Sequence, residues 1–470
     1  MVAMQQHGTF HKAQTGKVID DHPRIPRPRR WWAIAAISFG TSLLVIDGSI
    51  ANVALPTIAR ELNVTEAAVT NVVTIYQLVL VMLLLPFSSL GDRLGHRTIY
   101  QAGQAVFMAA SAACFFVESF TILLLLRVLQ AVGAAMALSV SAAMLRQIYP
   151  ANRLGTGMGV NSVIVASSAA LAPTLGGYIV GNLPWQIVFV AAAPMAVISL
   201  LLGRSLPDPE PRDQPSKWRS GVLSAFTMLL LVGGIQLGTH NALGWGIAAF
   251  VLGIVALLLL IRSERRQVAP VFPVDLLAKP VIGLSALANF ASFISAGALM
   301  LGLPFRLESG MGYDPQTVGI LLLPFPLTML VVSPLAGFAS DKIAPTKLGV
   351  TGMAIAIVGL LLLATMPDQP GEWGIAWRLS LTALGFGLFF SPNSRLLIGR
   401  APRDRAAAAG GLLSTARLFG QTMGAVVIGI LLAAGLGLGP APLYASCALA
   451  VVAALASMLR FSQRDNPANG

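Results

Sequence analysis

The chain predicts an all-α integral membrane protein, built from two bundles of six helices with a further helix pair inserted between them, about fourteen transmembrane helices in all. Three observations carry that prediction. Hydrophobic residues make up 56% of the 470 positions and charged residues only 11%, with a mean hydropathy of +0.76, whereas soluble domains carry about 25% charged residues. Runs of about twenty apolar residues recur along the chain, each long enough to cross a bilayer as a helix. The second half repeats the landmarks of the first.

The apolar runs fall near 32–56, 70–90, 98–117, 120–145, 155–180, 185–204, 220–239, 245–261, 281–305, 316–338, 347–366, 377–394, 407–433 and 442–460. Lys and Arg test how these segments are threaded. With the N-terminus inside, 26 of the 31 basic residues fall on inside segments, and only Arg60, Arg306 and Arg378 on outside loops. Arg127 and Arg417 lie within helices. Cytoplasmic loops carry such an excess of basic residues, so both termini are expected on the cytoplasmic side of a cell inner membrane. The sizeable linkers face the same side. Arg204 to Arg219 is interrupted by Pro207, Pro209, Pro211 and Pro215, which excludes a helix there. The expected division is a basic tail over 1–31, a six-helix bundle over 32–204, linkers and inserted helices 7 and 8 over 205–280, a second bundle over 281–460 and a tail over 461–470.

The duplication is read from short polar turns. Ser88 to Arg97 joins helices 2 and 3, and Asp92 is followed at once by Arg93; Gly337 to Lys347 joins helices 10 and 11, and Asp341 is followed by Lys342. Eleven residues beyond each acid stands a helical glycine, Gly103 and Gly352. Pro150 leads to Gly159 as Pro402 leads to Gly411, and Gly133 and Gly385 precede those prolines at equal spacing. Parallel repeats of this kind put a binding site between the halves.

Composition also excludes other classes. A formal charge of +12 could suggest nucleic acid, but the basic residues follow membrane orientation, so no nucleic-acid partner is expected. Cys114 and Cys447 both lie in apolar runs, which predicts neither a structural disulfide nor a metal site. No nucleotide-binding loop, metal-ligand cluster or nucleophile–base pair is visible, so neither a cofactor nor an enzymatic activity is expected. His7, His11 and His22 are too dispersed to form a site. The polar tail and long first run predict no cleavable signal peptide.

These residues resemble the major facilitator superfamily, specifically its fourteen-helix drug:proton antiporters, from about Trp31 to Arg460. The stretch Ile46-Asp47-Gly48-Ser49-Ile50-Ala51-Asn52-Val53-Ala54-Leu55-Pro56 looks like that family's first-helix motif. Asp92 to Arg97 resembles the superfamily loop motif, with Ser88 in place of its leading glycine. Arg127 to Gly133 resembles the fourth-helix motif, whose arginine the family ties to proton coupling. Gly159, Ser168, Ala172, Pro173, Gly176 and Gly177 follow the antiporter motif of helix 5, two glycines being replaced by Ser168 and Ala172. The resemblance implies a major facilitator fold and a proton-coupled exporter of amphipathic or lipophilic small molecules, working as a monomer by alternating access. Family pumps for quaternary cations often carry an acid in helix 10; none lies between Gln316 and Pro334.

Specific residues fit roles in such a machine. Asp47 is the sole carboxylate inside a helix away from its ends, about 13 Å below Pro56, and Arg127 lies about 10 Å below the outer end of helix 4. An ionisable residue at that depth marks an ion or substrate path, so Asp47 and Arg127 are the proton-coupling candidates; the bland alternative is a fixed ion pair. Glu308, at the outer end of helix 9, is the next acid in line. Gln130 continues the polar stripe of helix 4, and Gly410, Ser414, Arg417, Gln421 and Gly424 form a longer one on helix 13, which suits close packing or a cavity equally. Asn52, Tyr76, Gln77, Gln130, Met136, Asn161, Asn289, Phe290 and Asn393 are candidate substrate contacts. Asp92 with Arg93 and Arg97, and Asp341 with Lys342, are candidate conformational latches, Asp92 reaching the start of helix 13 and Asp341 that of helix 5. Gly159, Pro173, Gly176 and Gly177 would let helix 5 bend and close the outer half. The rival functions are a dedicated exporter of one metabolite or lipid, a proton symporter for uptake, and a transporter-like sensor or membrane enzyme.

Overall fold

The computed structural model describes residues 27–148, 154–207, 218–239, 243–264, 274–367, 370–402 and 406–464; within these, some side chains, including those of 154–163 and 406–408, are outside the described set. Residues 1–26 and 465–470 of the polar tails, Pro150 to Arg153, the prolines at 209, 211 and 215, and the Asn161 side chain therefore lie outside the described residues.

Among the described residues the fold is all-α, as an apolar chain in lipid requires: a helix satisfies its own backbone hydrogen bonds where no water can. The long helices are α1 (Arg27–Glu61), α2 (Asn71–Leu94), α3 (His96–Cys114), α4 (Phe120–Ile148), α5 (Leu154–Asn182), α6 (Ala193–Leu202), α7 (Trp218–Thr239) and α8 (Leu243–Glu264). They continue with α9 (Pro280–Phe305), α10 in two pieces (Pro315–Leu322 and Pro324–Ala339), α11 (Pro345–Ala364), α12 (Gly371–Gly399), α13 (Ala406–Ala433) and α14 (Ala441–Arg464). Eleven of the described stretches are long and apolar enough to cross a membrane. This is a multi-pass membrane protein.

Prolines open several helices: Pro280, Pro315, Pro324 and Pro345 stand in first turns, where the missing N–H costs nothing. The turn around Asp92 is tighter than the ten-residue hairpin expected. α2 runs on to Leu94 and α3 begins at His96, so Gly95 alone reverses the chain, at φ 93. Only glycine adopts that conformation cheaply, and Ser88 to Asp92 are thereby helical.

The helix pairings of the first half recur in the second. α1 packs on α5 and α6, α2 on α4, and α3 on α4 and α6. Shifted by eight helices, α9 packs on α13 and α14, α10 on α12, and α11 on α12 and α14. The glycines that marked the repeat explain two of these crossings. A Cβ on Gly103 would fall 2.7 Å from the Gly133 carbonyl oxygen, and one on Gly352 would fall 2.7 Å from that of Gly385. Both α3–α4 and α11–α12 therefore cross backbone to backbone, which side chains would prevent.

α7 lies along α2 and α8, and touches α13. α8 packs on α7 and exposes Trp245, Ile247, Val251, Leu252, Leu258 and Leu259, an apolar surface suited to lipid. Buried apolar residues form two main clusters. One centres on Leu43–Ala59 of α1 with α2 to α6, the other on α9 to α12 and α14; Ala298 and Phe305 of α9 and Ala425 and Ile428 of α13 belong to the first, and Val53 to the second.

Candidate functional site

Taking the Glu61 end of α1 as the upper end, Asp47 lies mid-helix and Arg127 about two turns below the top of α4. Both side chains are essentially inaccessible. One guanidinium nitrogen of Arg127, Nη1, donates to both carboxylate oxygens of Asp47 at 3.1 and 3.0 Å and to Gln130 Oε1 at 2.9 Å. Nε donates to the Val72 carbonyl oxygen at 3.2 Å, which ties α4 to α2. Gln130 Nε2 passes the chain on to Ser111 Oγ at 2.8 Å. The guanidinium carbon stands 4.1 Å from the Tyr76 ring centroid and 5.1 Å from that of Phe189. Two aromatic faces and one carboxylate thus compensate the cation, the arrangement a low-dielectric site demands. The matching depth read from the sequence becomes a direct contact because α2 and α4 pack together and α1 passes beside both.

The remaining residues separate into groups. Gln130 is fully buried with both ends of its amide engaged, so it orients Arg127 rather than facing open space. The Tyr76 hydroxyl lies near Asp47 but outside hydrogen-bond geometry. Asn52 Oδ1 and Gln77 Oε1 are sequestered and unpartnered among the described residues, and both amide atoms of Asn289 are in the same position. Met136 is half-buried against α3 and α1. Phe290 stacks on Phe419 of α13, centroids 5.3 Å apart. Asn393 is not with them: its Nδ2 donates to the Ser285 carbonyl at 3.2 Å and its Oδ1 accepts from Arg460 Nη1 at 2.6 Å.

That Arg460 network is a centre the sequence did not reveal. Arg460 is buried, donating also to Ser285 Oγ and Ser457 Oγ, and it clamps α9, α12 and α14 together. A basic residue at the end of the last apolar run reads as an orientation charge, and no periodicity distinguishes it. Arg306 is a second instance. The sequence places it on an outside loop, yet it is buried and donates to the Leu363 and Ala364 carbonyl oxygens, capping the C-terminus of α11.

Glu308 stands in a single π turn, Arg306–Gly310, that ends α9. Its side chain is nearly inaccessible and accepts from Arg60 Nη2 at 2.5 Å and Thr57 Oγ1 at 3.0 Å. This contact joins the top of α1 to the top of α9. Nearby, a Cβ on Gly177 of α5 would fall 2.6 Å from the Pro315 carbonyl oxygen of α10, and Asn182 Nδ2 reaches Gln316 Oε1 at 3.5 Å. Gly176, on the other side of α5, abuts Ile50 of α1. At the top of α13, Gly429 meets Thr70. The two halves therefore meet closely at the upper end.

At the lower end, Asp92 is about half exposed and bonded to His96 at 3.1 Å. Asp341 pairs with Arg395 of α12, which also donates to Ser340 Oγ at 2.9 Å. Both contacts stay within their own half. Arg93 and Lys342 are exposed and Arg97 half-buried. The partners expected for these acids, the starts of α13 and α5, include residues outside the described set. No cluster of potential metal ligands occurs among the described residues.

The major facilitator superfamily model matches residues 37–262 and 285–470. The chain belongs to the major facilitator superfamily. It is 39% identical over 444 residues to the uncharacterized transporter YebQ of Escherichia coli K12, covering 93% of this chain and 97% of that one. It is 30% identical over 413 residues to the multidrug efflux pump LfrA of Mycolicibacterium smegmatis, covering 86% and 81%. Among solved structures, a bacterial homologue of the human lysosomal transporter Spinster, in an inward-facing and unoccupied conformation, superposes with a TM-score of 0.66 at 17% identity, over 94% of this chain and all of that one. Membership makes this major facilitator protein a secondary transporter of small molecules, which is consistent with a non-enzymatic role.

Proposed function

We propose that this protein is a proton-coupled antiporter that exports amphipathic or lipophilic small molecules by alternating access from the cytoplasmic membrane. The observation that carries the reading is the Asp47–Arg127 pair, a carboxylate and a guanidinium held mid-span with no solvent contact. A proton accepted by Asp47 would remove the charge that Arg127 leans on, freeing Arg127 and Gln130 to rearrange, so that protonation and substrate binding favour different states. The similarity to LfrA, named as a multidrug efflux pump, supports export.

The architecture assigned to this function is fourteen helices: α1–α6 over 32–204 and α9–α14 over 281–460 as two bundles rocking against each other, with α7 and α8 as an insert over 205–280. The repeated helix pairings support it. The basic loops put both termini in the cytoplasm, which makes the upper end the outer one. With the halves joined there through Arg60–Glu308 and Gly177–Pro315, this conformation reads as inward-facing, and Asp92 and Asp341 as released latches that engage α13 and α5 when the inner side closes. One chain suffices for all of these parts, so the monomer is the working unit, with substrate and protons as its partners in the bilayer.

The test is purified protein in liposomes with an imposed pH gradient and a panel of cationic, neutral and anionic dyes. Dye movement coupled to opposite proton movement is expected. Dye flux indifferent to the gradient, in a protein that binds the same dyes, would remove coupling from the reading.

A further inference from the structure

Resting on the transport reading, we propose that Arg417 anchors an anionic group of the substrate, and that the compounds carried are aromatic amphipaths bearing a carboxylate or comparable anion. Arg417 lies eleven residues above Ala406 and sixteen below Ala433, about 16 and 24 Å along α13, well beyond the reach of its side chain to either membrane surface. It is half-buried and makes no hydrogen bond or ion pair among the described residues. A mid-span cation without a partner is costly, and such residues mark substrate or ion paths.

The faces of α13 show where it points. Gly420 and Gly424 abut α9, against Phe290, Ile294 and Ala298. Val426 and Gly429 face α2, against Leu78, Val81 and Thr70. Gly410, Ser414, Arg417 and Gln421 run between these two contact faces, on the side where Ala425 is buried in the cluster that joins α1 to α6 with α9. Along this stripe Ser414 is exposed, and nothing lies within 4 Å of a Cβ at Gly410. The lower part of the stripe, Gly410 and Ser414, therefore borders open space beneath Arg417, whereas Gln421 above it packs its backbone on Gly297 of α9.

Charge and shape select the ligand. Asp47 and Arg127 neutralise each other, which leaves Arg417 as the uncompensated mid-span charge among the described residues. A cationic ligand there meets repulsion and an anionic one attraction, both strengthened in a medium poorer than water. The helix contacts beside the stripe are aromatic: Phe419 of α13 stacks on Phe290 of α9, and Phe293 of α9 on Phe390 of α12 at 4.3 Å. Asn289, next to Phe290, holds two unpartnered amide atoms that suit a ligand's polar groups. A planar guanidinium favours a carboxylate over a neutral acceptor.

The experiment compares a rhodamine bearing a free benzoate with the same dye as its methyl ester, bound to the full chain in nanodiscs and followed by fluorescence polarisation. Tighter binding of the benzoate is expected, with Arg417→Gln weakening it at least about tenfold while leaving the ester unchanged. Arg417→Lys, which keeps the charge, should recover part of the difference and controls for folding. Equal affinities for both dyes in the unmodified protein, or the same loss for both in Arg417→Gln, would overturn the proposal. Absence of gradient-driven flux with the benzoate preference intact would instead sink the transport reading and leave this site standing.

Discussion

A single nitrogen of Arg127 meets both carboxylate oxygens of Asp47, at 3.1 and 3.0 Å, while its remaining contacts go to Gln130, Val72 and two aromatic faces. The guanidinium is thus held by its surroundings even before the carboxylate is counted. Loss of the Asp47 charge frees Arg127 from α1 while its bonds to Val72 and Gln130 can persist, which lets the pair change state without unfolding the helices around it.

Asp47→Asn should accordingly fold, insert and bind neutral compounds, since amide and carboxylate are nearly isosteric, yet lose gradient-driven export. Arg127→Ala is expected to behave differently: it strands a buried carboxylate, at a cost on the order of 3–5 kcal/mol, and should lower membrane yield. Proteoliposome flux beside size-exclusion profiles separates the two. A well-folded Asp47→Asn protein that still pumps with a proton gradient would move coupling elsewhere, first to Glu308.

The Arg60–Glu308 contact should hold the outer side shut. Glu308→Gln keeps the shape but removes the charge, and is expected to shift the population toward outer opening. Disulfide cross-linking between Asn182→Cys and Gln316→Cys, which sit across the same seam, reports the change. Cross-linking yield should fall severalfold in Glu308→Gln. An unchanged yield would assign Glu308 to packing alone.

Gly177 of α5 lies in close backbone contact with Pro315 and Gly319 of α10. Gly177→Ala places a methyl group 2.6 Å from the Pro315 carbonyl oxygen, so one helix must move. Overpacking of this kind costs typically 1–3 kcal/mol. Because the strain exists only when the outer side is closed, transport should drop sharply while thermal stability changes little. A large loss of stability with normal flux per folded molecule would contradict that assignment.

Asp314 caps the upper end of α10. Its carboxylate accepts from the Thr317 hydroxyl and the Thr317 backbone N–H, at 2.5 and 3.0 Å, and these bonds hold its pKa below the ordinary Asp value. A depressed carboxylate contributes its stabilisation above the unfolded-state pKa, near 4, and loses it as pH falls through the folded value. Asp314→Ala should cost about 1 kcal/mol at neutral pH, the usual worth of an N-cap, and the difference from the unmodified protein should vanish in strong acid. Thermal melts across pH measure it.

The sequence by itself determined the class of molecule, its helices and its repeat. Those follow from local chemistry: apolar runs of bilayer length cannot be anything but helices in lipid, and basic loops record orientation. It also picked out Asp47 and Arg127, because a charge in the middle of an apolar run stands out wherever its partner lies. Tertiary structure alone decided the partnerships. Gln130 and Asn393, alike in sequence as polar residues in apolar helices, proved to be spent on Arg127 and Arg460, whereas Asn289 is left unpartnered among the described residues. Arg306, Glu308 and Arg460 read as loop or tail charges and are buried. The reason is the same in each case: burial of a polar group depends on what a helix far away in the chain brings against it, and periodicity within one helix carries no record of that neighbour.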